Sequence, residues 1–66
     1  MFGLEPETMY RPNDPAMAIV GAPQTLANQR QRGDGPAYYR HGGRVLYRGQ
    51  DVIDWLKSKR VEPAAA

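Results

Sequence analysis

The sequence predicts a small α+β domain in which two short helices precede a two-stranded β-hairpin and a closing helix. Three observations support this prediction. Gly and Pro divide the chain into short segments, Gly42-Gly43 separates two strand-like runs, and residues 50–60 carry apolar side chains at helical spacing. The chain has 66 residues, and a chain of that length buries only about 60% of the surface that its unfolded form exposes. We therefore expect one domain with a small core.

The domain is expected to span residues 13–60. Residues 1–12 contain Gly and Pro with little apolar periodicity, so we expect a flexible N-terminal arm there. Residues 61–66 are expected to form a flexible C-terminal tail. The first helix begins after Asn13 or Asp14, because either can cap it and Pro15 suits the first helical position. Its core candidates are Met17, Val20 and Ile19.

A second, polar helix follows after a turn of about one residue. Pro23 opens it, Gly33 ends it, and Leu26 and Ala27 are the apolar residues between Gln24 and Gln31. Its exposed face is expected to carry Gln24, Thr25, Asn28 and Arg32. Two helices joined by a tight turn, the second polar and rich in Arg, form the helix-turn-helix pattern.

A β-hairpin is predicted from Ala37 to Arg48, turning at Gly42-Gly43, because a type I′ turn needs positive φ at both central residues. Alternation places Val45 and Tyr47 on one face, and Arg44, Leu46 and Arg48 on the other. The hairpin is thus expected to have an apolar side and an Arg-rich side. His41 is expected on the apolar side, as a partly buried structural residue.

A closing helix is predicted from about Gln50 to Arg60. Val52, Trp55 and Leu56 form its apolar stripe, and we expect Trp55, the largest apolar side chain, to anchor the core. The carboxylates of Asp51 and Asp54 near its start complement the helix dipole. The order helix, turn, helix, hairpin, helix is that of a winged helix-turn-helix.

Positive charge is concentrated in the second half of the chain. Residues 30–60 hold eight Lys or Arg against three Asp, whereas residues 1–29 hold one Arg against three acidic residues. Seven of the nine basic residues are Arg, whose planar guanidinium matches phosphate oxygens and guanine edges. This distribution is typical of a nucleic-acid-binding protein, and charge alone leaves a soluble surface with scattered positive charges open as the alternative.

The composition argues against several other classes. The chain has no Cys and one His, so we expect no disulfide framework, no thiol nucleophile, no metal site and no cofactor. No catalytic residue is assigned, because no Ser/His/Asp set, phosphate-binding loop or cleft with paired acids is apparent; the chain is expected not to be an enzyme. We expect neither a membrane segment nor a small-molecule ligand, and a location in the cytoplasm of a bacterial cell.

Three motifs resemble a known family. The run from Thr25 to Pro36 follows T-L-x-x-x-R-x-x-G-x-G-P, Gly42 to Tyr47 follows G-x-R-V-x-Y, and Asp51 to Leu56 follows D-[LV]-x-x-W-L. Together they resemble the small excisionase and MerR-like winged helix-turn-helix DNA-binding domains of phages, over residues 9 to about 60. The chain departs from that pattern at Gln29, where an aromatic residue is common, and at Ala22, where a Ser usually caps the helix.

The candidate DNA-binding residues lie on the recognition helix and the hairpin wing. On the helix they are Gln24, Thr25, Asn28, Arg30 and Arg32, and on the wing they are Arg40 and Arg44. Asn28 suits adenine, Arg32 suits guanine or phosphate, and Gln24 suits a base or the backbone. Thr25 resembles the phosphate-contacting position of the family. Arg30 either reaches a phosphate or braces the core.

The resemblance implies a DNA-bending protein that binds double-stranded DNA cooperatively. Such an excisionase, or recombination directionality factor, binds near an attachment site and promotes excision by an integrase. The expected partners are double-stranded DNA and other copies of the chain side by side, and a site-specific integrase is a candidate partner. A small transcriptional regulator with the same domain is the alternative, and the sequence does not separate the two.

Overall fold

A central β-strand organises the fold. The protein is described by a computed structural model over residues 2–61. In chain order its elements are β1 (Met9–Tyr10), a 3₁₀ helix (Pro15–Ile19), α1 (Pro23–Arg32), β2 (Tyr39–His41), β3 (Arg44–Arg48) and α2 (Gly49–Ser58). β3 lies between β1 and β2 and is antiparallel to both. Residues 2–61 thus form a small α+β fold with two α-helices and a three-stranded sheet, one strand more than the predicted hairpin.

Residues 4–10 belong to the fold, whereas the sequence predicted a flexible arm over residues 1–12. Within this segment, Leu4 is buried and Met9 and Tyr10 pair with Arg48 and Tyr47 of β3. The Tyr10 hydroxyl oxygen accepts a hydrogen bond from the Glu5 N–H at 2.8 Å. Sequence periodicity did not reveal this segment, because a two-residue strand is too short to show alternation.

The predicted first helix is present as a short 3₁₀ helix. Asp14 is its N-cap, and the Asp14 Oδ1 accepts a hydrogen bond from the Ala16 N–H at 2.9 Å. A five-residue segment is too short to repay the cost of nucleating an α-helix, so the tighter helix is the physically expected form. Met17 is fully buried and Val20 is partly buried, as predicted, whereas Ile19 is exposed.

The second helix matches its prediction. α1 begins with Pro23 and ends at Arg32, and Gly33 adopts the left-handed conformation with φ of 74°. The Gly33 N–H donates to the Gln29 carbonyl oxygen at 2.8 Å, which closes the last turn. Ala22 is the N-cap and makes no side-chain cap hydrogen bond. Leu26 is the fully buried residue of α1, so the buried stripe of this helix is narrow, as expected.

The β2–β3 hairpin turns where the sequence predicted. Gly42 and Gly43 have φ of 58° and 80°, in agreement with a type I′ turn. Arg40 pairs with Val45, and His41 pairs with Arg44. Directly paired residues of antiparallel strands project to the same face. Arg40 therefore shares a face with Val45, and His41 shares the opposite face with Arg44.

This register corrects the predicted distribution of side chains on the hairpin. His41 is exposed and lies on the face opposite to Val45, so it is not a partly buried structural residue. Arg40 and Arg44, the two candidate DNA contacts of the hairpin, lie on different faces of it. The prediction failed because alternation fixes the faces of each strand, whereas pairing between strands decides which faces coincide.

The closing helix is α2, which ends at Ser58 rather than at Arg60. Val52 and Ile53 are its fully buried apolar residues, Leu56 is partly buried and Trp55 is half-buried. Trp55 therefore lies at the rim of the core and does not anchor it. The predicted tail over residues 61–66 lies, except for Val61, outside the described residues. The core consists of Leu4, Tyr10, Met17, Leu26, Tyr47, Val52 and Ile53.

Candidate nucleic-acid interface

The polar face of α1 is solvent-exposed, as the sequence predicted. Gln24, Thr25, Asn28 and Arg32 are all exposed on it. The Gln24 Nε2 donates a hydrogen bond to the Asn28 Oδ1 at 3.2 Å, one helical turn away. This bond uses the Asn28 side-chain oxygen and not its amide N–H groups, and both side chains are exposed, so they can exchange the bond for hydrogen bonds to base edges.

An open groove of about 350 Å³ runs between α1 and the hairpin. It is lined by Gln24, Ala27, Asn28, Arg30, Gln31 and Arg40. Two of these side chains are guanidinium groups, three are amides, and none is a carboxylate. The groove therefore presents donors and positive charge, which suits an anionic ligand with hydrogen-bond acceptors.

Arg30 is the least exposed cation of this groove. Its side chain is half-buried, and the Arg30 Nη1 donates a hydrogen bond to the Tyr47 hydroxyl oxygen at 2.7 Å. The Arg30 Cζ lies 5.9 Å from the ring centroid of Tyr38 and 6.0 Å from that of Tyr47. Of the two roles left open by the sequence, phosphate contact or bracing, these contacts favour bracing.

Arg40 approaches the same aromatic ring from the hairpin. The Arg40 Cζ lies 6.0 Å from the Tyr38 ring centroid, and the Tyr38 and Tyr47 rings are 6.1 Å apart and tilted by 54°. Arg40 remains exposed, so the nearby Tyr38 ring restrains its guanidinium while leaving hydrogen-bond donors in solvent. Arg40 is thus the groove cation that is available to a phosphate.

Arg44 and Arg32 lie outside the groove. Arg44 is exposed on the opposite hairpin face, next to the Gly42-Gly43 turn. Arg32 is 62% exposed, and its Nε lies 3.1 Å from the Asp34 Oδ2. The Asp34 carbonyl oxygen in turn accepts a hydrogen bond from the Trp55 Nε1 at 3.3 Å. The structure therefore separates the predicted residues into a groove set, an exposed hairpin cation and an ion-paired cation at the end of α1.

Sequence reasoning missed one residue that lines the groove, Gln31, and the contacts that Tyr38 makes with the groove cations. Gln31 was not singled out, although it follows Ala27 and Asn28 by four and three residues and so lies on their side of the helix. The Tyr38 ring centroid lies about 6 Å from the Cζ atoms of Arg30 and Arg40, so this ring supports both cations of the groove. No local sequence signal predicts the contacts among Arg30, Tyr38, Arg40 and Tyr47, because these residues come from α1, from β3 and from in or next to β2.

Other types of site are not evident in the part of the chain from residue 2 to residue 61. No group of three or more His, Asp or Glu side chains there could hold a metal ion. None of the helices formed by these residues has the length and apolar character needed to cross a bilayer.

Comparison with known proteins adds no assignment. No family model matches the sequence, and no curated protein matches it significantly.

Proposed function

We propose that this protein is a winged helix-turn-helix protein that binds double-stranded DNA in a sequence-specific manner. The observation that carries this proposal is the groove between α1 and the hairpin, which brings Arg30, Arg40 and three amide side chains together without a carboxylate. Phosphate and base edges offer the acceptors that such a groove requires. The basic stretch from residue 30 to residue 60 supplies further positive charge around it.

In this proposal α1 enters the major groove, which is wide enough for a helix. Asn28 and Gln24 read base edges, because their amide groups pair with adenine in a bidentate manner. Arg32 exchanges its exposed ion pair with Asp34 for guanine or phosphate. Thr25, in the first turn of α1, contacts a phosphate near the positive end of the helix dipole.

The hairpin acts as the wing. Arg40 and Arg44 flank the Gly42-Gly43 turn on opposite faces, so a duplex lying against the tip meets one guanidinium on each side. Arg is attracted to the negative potential of a narrow minor groove and to the adjacent phosphates. A wing with this arrangement clamps the backbone and leaves sequence reading to α1.

The biological role that we propose is that of a phage excisionase. A single module of this size buries about 600–1,000 Å² of its own surface against DNA. Several copies on adjacent sites therefore supply the specificity, and bending of the DNA between them assists an integrase. The alternative is a small repressor or activator acting at a promoter in the bacterial cytoplasm. Both roles use the same interface, and neither requires an enzymatic step.

Fluorescence anisotropy with a labelled duplex tests the DNA-binding proposal. A duplex selected from a random library is titrated at several salt concentrations, and we expect a slope of log K against log salt of about −4 to −5 if four to six phosphates are neutralised. Arg40→Ala is expected to make that slope less steep by about 1 on every sequence, because one phosphate contact is lost. Asn28→Ala is expected mainly to reduce discrimination between sequences. Arg11→Ala, which removes the same charge outside residues 30–60, is the control. A salt-independent signal would refute the proposal.

Gel shifts on circularly permuted fragments separate the two biological roles. The fragments carry the DNA next to the gene, including any attachment site. A ladder of complexes whose mobility depends on the position of the site indicates several copies that bend DNA, as expected of an excisionase. A single unbent complex at a promoter would support the regulator instead.

A further inference from the structure

The Tyr47 hydroxyl ties the recognition helix to the central strand. Tyr47 is 1% exposed, so its hydroxyl needs a partner within the protein. That partner is the Arg30 Nη1 at 2.7 Å, on α1. A hydrogen bond from a cation is among the stronger ones in proteins, and this one joins two elements that are 17 residues apart in sequence.

The apolar contact of α1 is small by comparison. Leu26 is the fully buried side chain of this helix, and the remaining residues are half-buried or exposed. A single fully buried side chain constrains the position of a helix but constrains its rotation and tilt only weakly. The Arg30 guanidinium adds a second point of attachment one turn later, because its Cζ lies about 6 Å from the ring centroids of both Tyr38 and Tyr47.

We propose that Arg30 is a positioning residue, which determines sequence discrimination by holding α1 at one orientation against the hairpin rather than by contacting a base. This inference rests on the proposed DNA binding, in which α1 and the wing contact one duplex together. Base edges are read only when side chains lie within hydrogen-bond distance of them. A rotation of α1 about Leu26 would therefore disturb the contacts of Asn28 and Gln24, while phosphate contacts, which are less directional, would persist.

Four variants test this role. Tyr47→Phe removes the hydroxyl and leaves the ring. Arg30→Lys keeps the charge and removes the planar group, and the double variant removes both. Tyr39→Phe is the matched control, because Tyr39 is 52% exposed and pairs with Leu46 on the opposite face of the hairpin. Each protein is titrated with the selected duplex and with a scrambled duplex of the same composition, under conditions in which circular dichroism shows it to be folded.

We expect Tyr47→Phe and Arg30→Lys each to lower the ratio of the two affinities by about ten-fold, the effect of losing one charged hydrogen bond. The double variant should lose no more than either single variant, because both changes break the same contact. Affinity for the scrambled duplex and the salt slope should stay unchanged. This pattern distinguishes positioning from general destabilisation, which lowers binding to both duplexes alike.

Three other results would overturn the inference. If Tyr47→Phe keeps full discrimination, DNA binding stands and the positioning role is wrong. If Tyr47→Phe has no effect while a fifth variant, Arg30→Ala, makes the salt slope less steep by about 1, Arg30 is a phosphate contact. If the unaltered protein binds neither duplex, the proposed function itself fails and the inference fails with it.

Discussion

Gly49 offers a sharp test of how the N-terminal segment joins the domain. It is buried at the first position of α2, where the Gly49 N–H donates to the Thr8 carbonyl oxygen at 2.8 Å. A Cβ at this position would overlap the carbonyl oxygen of Glu5 and lie 2.7 Å from its carbonyl carbon. These are backbone atoms, so they cannot rotate away as a side chain could. Gly49→Ala therefore has to displace the segment from α2.

The magnitude follows from what the displacement breaks. Overpacking of a buried site costs about 1–3 kcal/mol, and exposure of Leu4 costs about 1.5–3 kcal/mol. The higher helix propensity of Ala relative to Gly offsets about 1 kcal/mol or less of this destabilisation. We expect Gly49→Ala to lower the free energy of unfolding by about 3 kcal/mol, a large share of the roughly 3–10 kcal/mol typical of 66 residues.

Urea denaturation followed by circular dichroism measures this effect. Gly33→Ala is the control, because a Cβ there meets nothing within 4 Å although the backbone has φ of +74°. The control should cost about 1–2 kcal/mol, the price of a left-handed conformation alone. A Gly49→Ala protein as stable as the unaltered chain would show that the Glu5 backbone does not cover α2, and would refute the docking of the N-terminal segment.

Two further predictions concern Asp34 and Trp55. Asp34→Asn should tighten DNA binding by about two- to five-fold, since it releases Arg32 from an exposed ion pair. Asp54→Asn on α2 is the charge-matched control for the anisotropy titration, and equal gains in both variants would point to net charge rather than to Arg32. Trp55→Ala should lower the free energy of unfolding by about 1–2 kcal/mol, because the side chain is half-buried. A loss of about 3–5 kcal/mol in the urea titration, typical of a core Trp, would contradict its place at the rim.

The elements that sequence reasoning located correctly are those specified by neighbouring residues. Pro23 and Gly33 bound α1 because Pro suits the first turn and Gly suits a left-handed position after the last. Gly42-Gly43 located the hairpin turn for a similar reason. The exposed face of α1 followed from helical spacing, and Gln24 and Asn28 do lie within hydrogen-bond distance of each other. Each of these features depends on a few consecutive residues.

The features that sequence reasoning missed depend on pairing between distant segments. The pairing of β2 with β3 places Arg40 on the same face as Val45, and His41 on the same face as Arg44. Alternation within one strand does not determine this pairing. Trp55 directly precedes Leu56 and follows the buried Ile53 by two residues. Only the direction from which the sheet packs on α2 determines which of these three side chains is covered.

The sequence by itself therefore determined the α+β class, the limits of α1 and the hairpin turn, and a basic second half that favours a nucleic-acid partner. Only the tertiary structure placed Leu4 and Tyr10 in the core and joined Arg30 to Tyr47. The physical reason is the range of the interactions involved. Backbone conformation and helical periodicity are encoded within a turn of chain, whereas burial, register and side-chain hydrogen bonds depend on which surfaces meet when the chain closes on itself.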